Sequence, residues 1–124
     1  MKRLVTTLVA AALGFTSFQV KTLAAENSRK LSGGQIREKF AGMQLTDGVH
    51  FRDVYNRDGK LRSYSMGTER VGKWFIEKNT LCAYFNEPDD GCYEVLVSGD
   101  RVEMKPSGLG LSIEGILQMP TDRN

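Results

Sequence analysis

Four polar residues on two adjoining segments, Asp53, Tyr55, Arg62 and Tyr64, form the most chemically suggestive set in the chain. Both segments alternate with the period of a β-strand, and Asp58-Gly59 between them favours a two-residue hairpin turn. That register sets Phe51 against Met66, Asp53 against Tyr64 and Tyr55 against Arg62, and places all six on one face. A carboxylate, a guanidinium and two phenols facing inward would line a ligand site in a barrel. Satisfied by one another or by water, the same four would make a polar rim.

Groups that could carry catalysis are sparse. His50 is the only histidine, and no local motif sets a serine or cysteine beside it, so it reads as a surface residue at a strand end. Cys82 and Cys92 read as one disulfide, which in the chain-entropy model supplies roughly 3 kcal/mol. A zinc site would need further soft ligands. The acidic run Glu87, Asp89 and Asp90 is marked by Pro88 and Gly91 as the tip of the disulfide-closed hairpin, which favours turn residues over a calcium site. Asp53, Asn56 and Asp58 before Gly59 lack the ligand spacing and closing Glu of a calcium loop. The expectation is no catalytic residue, no metal and no cofactor, with a hydrolase built on Asp53 as the least favoured alternative.

The elements that must position these residues begin with a short helix. Ser32 is an N-cap with Gln35 three positions on, and Leu31 and Ile36 form a hydrophobic staple across the cap. Ile36 and Phe40 share a face, and Gly42 suits the stop, which predicts a helix over Gly33 to Ala41. Leu31-Ser32-Gly33-Gly34-Gln35 also spells the signature string of transporter ATPases. The phosphate-cradling loop of such enzymes is missing, and the string reads as a capping box.

From Met43 onward the pattern is strands and tight turns. A disulfide between opposite strands sets Cys82 against Cys92, Leu81 against Tyr93 and Ala83 against Gly91. A turn between Glu77 and Thr80 sets Ile76 against Leu81 and Trp74 against Ala83. A two-residue turn at Gly99-Asp100 sets Val97 against Val102 and Val95 against Met104. Together these collect Trp74, Ile76, Leu81, Ala83, Phe85, Tyr93, Val95, Val97, Val102 and Met104 on one apolar face. Alternation of Leu109, Leu111 and Ile113 predicts a further strand, with an irregularity at Gly115. The fold expected is mainly β: an antiparallel meander forming a small barrel or curled sheet, with one short N-terminal helix.

Lys2 and Arg3, the apolar run Leu4 to Phe15 and the small residues Ala24 and Ala25 have the layout of a secretory signal over residues 1–25. The run is too short to span a bilayer, which predicts no permanent membrane anchor after cleavage. Cleavage removes Lys2, Arg3 and Lys21 and no acid, leaving 14 basic against 15 acidic residues in place of 17 against 15. The basic pI of the whole chain therefore belongs to the signal and gives no support for nucleic acid as a partner. Residues 26–30 read as a flexible leader and 31–124 as a single disulfide-stapled β domain.

Leu31-Ser32 with Ile36, Tyr55 with Asp58-Gly59, Gly72-Lys73-Trp74, Leu81-Cys82 and Cys92-Tyr93, in this order and spacing, resemble small exported β proteins of unknown function from Alphaproteobacteria, of the DUF995-like type. The resemblance implies a periplasmic or secreted β protein and brings no catalytic residues. The functional expectation is a non-catalytic binding or interaction module of the cell envelope, holding a protein partner or a small ligand. The alternative is an inhibitor or regulator of an envelope enzyme that probes it with the hairpin tip Asn86 to Gly91.

Overall fold

The computed structural model describes residues 10–14 and 28–121. Most of the predicted signal segment, including Ala24 and Ala25, lies outside the described residues. Along the described residues the elements are β1 (Arg29–Lys30), α1 (Gly33–Phe40), β2 (Met43–Thr46), β3 (Phe51–Tyr55), β4 (Lys60–Ser65), β5 (Thr68–Glu77), β6 (Thr80–Tyr84), β7 (Gly91–Ser98), β8 (Arg101–Pro106) and β9 (Ile113–Gln118). Strands β2 to β9 pair in chain order, and β9 pairs back onto β2, which closes an antiparallel eight-stranded barrel. The predicted small barrel with one helix is thus the observed fold. Arg29 and Lys30, at the end of the segment read as a leader, pair with Val97 and Leu96 of β7.

The helix begins as its sequence dictates. The Ser32 hydroxyl accepts from the Gln35 N–H, and the Gln35 side chain accepts from the Ser32 N–H at 2.9 Å. The Gly33 N–H donates to Asn79 Oδ1 at 2.9 Å, tying the first turn to the β5–β6 connection. After Ala41 the chain turns at Gly42, whose φ of 78° is readily adopted only by glycine, and its N–H donates to the Tyr55 carbonyl at 2.7 Å. Leu31, Ile36 and Phe40 are buried and join Leu45, Tyr55, Leu61, Trp74, Leu81, Val95, Val97, Val102 and Met104 in one core. Each large apolar side chain taken fully from water contributes about 1.5–3 kcal/mol.

The three turn assignments that defined the apolar face hold. Trp74 pairs with Ala83, Ile76 with Leu81, Cys82 with Cys92, Leu81 with Tyr93, Val97 with Val102 and Val95 with Met104. All ten residues predicted on that face belong to the core or pack against it. The disulfide is formed, on the outer face.

Three expectations are corrected: the β3–β4 turn, the strand through Leu109 and Leu111, and the irregularity at Gly115. The β3–β4 connection is a three-residue loop, not a two-residue turn: the Asn56 N–H donates to the Lys60 carbonyl and the Gly59 N–H to the Asn56 carbonyl, with Gly59 at φ 92°. This is a tight turn followed by a glycine in the left-handed region, and it moves the register by one residue. Phe51 pairs with Ser65, Asp53 with Ser63 and Tyr55 with Leu61, while Arg62 faces Val54 and Tyr64 faces Arg52. The second correction concerns residues 107–112, which form a loop, with β9 starting only at Ile113. Gly108 and Gly110 flank Leu109, and glycine loses more freedom than any other residue when drawn into a strand. Gly115 keeps regular register opposite Val102. A Cβ there would press on the Thr46 carbonyl carbon and Leu45 Cδ1, each 3.1 Å away, so the residue serves close approach at the seam.

Candidate functional site

An up-and-down barrel puts its connections alternately at two ends. Loops β3–β4, β5–β6 and β7–β8 lie at the end that leads from α1, and the helix fills it. Loops 47–50, 66–67, 85–90 and 107–112 lie at the other end.

At this second end the inward row continues in polar residues. The Ser63 hydroxyl donates to Asp53 Oδ1 at 2.6 Å, and both face the interior. Burial pushes the Asp53 carboxyl above its ordinary 3.8, against the opposing pull of the Ser63 hydroxyl and the Arg70 charge. Arg70, inward on β5 opposite Ser63, donates to Glu87 Oε2 at 2.8 Å and lies 4.5 Å over the Phe85 ring. Phe85 reaches this position because Gly72 has no side chain; a Cβ there would collide with its ring and with the Tyr84 carbonyl. Tyr93 completes the row, its phenol pushed up first by burial and then by Asp89, Asp53 and Asp90. Asp53, Arg70 and Glu87 therefore alternate in charge from the interior to the rim.

The four residues expected to form one row are divided. Asp53 and Tyr55 face inward, but Tyr55 lies deeper, fully buried between Phe40 and Trp74, and its hydroxyl donates to Met104 Sδ at 3.8 Å. Arg62 and Tyr64 are on the outer wall, where Arg62 Nη1 donates to the Tyr64 hydroxyl at 3.2 Å. The Arg52 guanidinium sits 4.1 Å over the Tyr64 ring and donates to the Thr121 carbonyl. Tyr64 lines a depression of about 380 Å³ that reaches the rim at Val49 and Met66.

The remaining polar candidates organise loops. Asp47 accepts from the N–H groups of Val49, His50 and Phe51 and from the His50 ring at 2.7 Å. These bonds, the one from Val49 foremost, hold its carboxyl well below the usual carboxylate range. Asp90 accepts from the N–H groups of Phe85 and Glu87, so the tip of the disulfide hairpin is held by its own acids. Two of the three tip acids are thereby engaged within the protein. On the outer wall Glu77 Oε2 lies 3.9 and 4.0 Å from the sulfurs of Cys82 and Cys92, and the bond between those sulfurs leaves no thiolate to bind a metal.

Sequence reasoning missed the outermost layer of this end. Between residues 28 and 121 the most exposed large apolar side chains are Val49 (83 %), Met66 (93 %), Leu109 (107 %) and Leu111 (91 %). They occupy three different loops of the same end. Met66 also has a φ of 51°, which few residues other than glycine and asparagine adopt, and it presents its side chain at the tip of a two-residue turn. The Met66-Gly67 dipeptide was the available signal. No helix among the described residues is long and apolar enough to cross a membrane. Compared with known protein families, with curated proteins and with solved structures, the chain has no match in any of the three.

Proposed function

We propose that this chain is an exported, non-catalytic interaction module of the cell envelope, periplasmic or secreted, that docks a protein partner on the open end of its barrel. The observation that carries the reading is the convergence of four almost wholly exposed apolar side chains, Val49, Met66, Leu109 and Leu111, on one rim around a charged centre. Large apolar side chains left exposed on several loops of one end are a recognised mark of an interaction surface. The conformational cost held at Met66 points the same way, because strained backbone concentrates at functional positions. The alternating Asp53, Arg70 and Glu87 at the centre would supply orientation and register more than affinity. The disulfide suits the oxidising environment that export would provide.

The test is site-specific photocrosslinking in the native cell, with the photoreactive residue at position 66 or 109, compared with position 114 on the wall. The reading expects one discrete adduct from the two rim positions and none from the wall, lost on Val49→Ser/Leu111→Ser substitution. Equal crosslinking from rim and wall, or no adduct from the rim, overturns it. Fractionation with mass determination tests export: a retained residue 1–25 segment or free thiols would refute that part.

A further inference from the structure

The outer wall of β4, β5 and β6 carries a second feature that the rim does not explain. Lys60 pairs directly with Lys73, and Lys73 with Tyr84, so a single row crosses three strands. Like charges placed opposite one another in an antiparallel pair are destabilising. Among the described residues neither ammonium has a carboxylate in ion-pair range, whereas Lys30 pairs with Glu94, Arg70 with Glu87 and Lys105 with Glu103. Beside the two lysines, the Phe75 and Tyr84 rings are stacked at 5.3 Å between centroids and 22° between planes, and both are exposed. With Val71 these groups line a groove of about 860 Å³, within the size range of small-molecule sites.

We propose that this groove binds a planar aromatic anion, its ring extending the Phe75–Tyr84 stack and its acid group lying between Lys60 and Lys73. Offset stacking on an existing ring pair suits a flat ligand, and charge-assisted bonds to two ammonium groups suit one carboxylate or sulfonate. Besides the lysines and the Tyr84 hydroxyl, only Asp58 and Asn86 offer polar side chains to the groove, too few for the hydroxyl groups of a saccharide. The anion would also relieve the repulsion between the two lysines.

The probe is 8-anilinonaphthalene-1-sulfonate, titrated by fluorescence into the folded chain, with N-phenyl-1-naphthylamine as its neutral counterpart. One saturable sulfonate site is expected, with affinity falling about tenfold or more in Lys60→Ala/Lys73→Ala. Tyr84→Ser should weaken both probes, and Lys105→Ala neither. Lys73→Glu, which sets opposite charges across the strands, should abolish sulfonate binding while the melting temperature holds or rises. Equal affinity for the two probes, sulfonate binding indifferent to the lysines, tighter binding of a uronic acid saccharide than of the sulfonate, or no saturable site would each overturn the proposal.

Discussion

The two ends of the barrel are built on opposite principles. At the helix end, Phe40, Tyr55 and Trp74 meet edge to face at 5.1 and 5.6 Å, and the Trp74 indole N–H donates to the Asn56 carbonyl at 2.8 Å. The Trp74 main-chain N–H donates to the Gly59 carbonyl, so one residue holds the core and the β3–β4 loop together. At the open end the interior row turns to Asp53, Ser63 and Arg70, and the apolar residues of the loops face outward. A small barrel has limited surface to bury. Placing the edge-to-face cluster of buried aromatics at one end leaves the other able to carry charge and exposed apolar groups, which contribute little to folding and are available for binding.

The sharpest way to break this comparison is to excavate the helix end. Phe40→Ala should cost about 3–5 kcal/mol, a large fraction of the roughly 5–15 kcal/mol that stabilises a native domain. Urea titration followed by the fluorescence of the single tryptophan, Trp74, checks it. Opening the wall between the ends by Cys82→Ala/Cys92→Ala should cost about 2–3 kcal/mol, measured the same way against the oxidised protein. Ser32→Ala removes the helix cap and should cost about 1 kcal/mol.

The open end should respond weakly. Met66→Ser is expected to change stability by no more than about 0.5 kcal/mol while removing part of the rim, and a loss comparable to that of Phe40→Ala would erase the distinction between the ends. The pH dependence sharpens the same point. Because the Asp53 carboxyl is raised in the folded state, its contribution is fully present below 3.8 and declines as pH climbs through the folded value. Asp47 is depressed, so its contribution is lost only as pH falls below 3.8. Asp53→Asn should therefore flatten the decline above 3.8 and leave the acid limb unchanged, as read from melting temperatures across a pH series.

The sequence made the closed end legible and half of the open one. The capping box at Ser32, the turn at Gly99-Asp100 and the bridge from Cys82 to Cys92 each admit one register, and a covalent link removes any choice of parity. Asp58-Gly59 does not, because the dipeptide serves a two-residue turn and the last two positions of a three-residue loop equally well. The slip of one residue moved Arg62 and Tyr64 to the outer wall and brought Ser63 inside beside Asp53. Leu109 and Leu111 alternate as a strand would, and only their flanking glycines argue for a loop. The Lys60–Lys73 row depends on the turn at Met66-Gly67, where the sequence reading continued β4 through Met66, so that row could not be seen before the register was known.

The seam between β2 and β9 sets the order of events when the chain folds. Leu45 meets Leu117 and Thr46 meets Ile116, partners at opposite ends of the barrel sequence, whereas the other barrel pairings join neighbours in the chain. Until the last strand arrives, both β2 and β8 present unpaired edges able to recruit another chain. Closure thus acts as a timer: hairpins accumulate quickly from local contacts, and the slow long-range step comes at the end. A chain truncated before Ile113 would keep the hairpins from β2 to β8 and lose its protection from self-association.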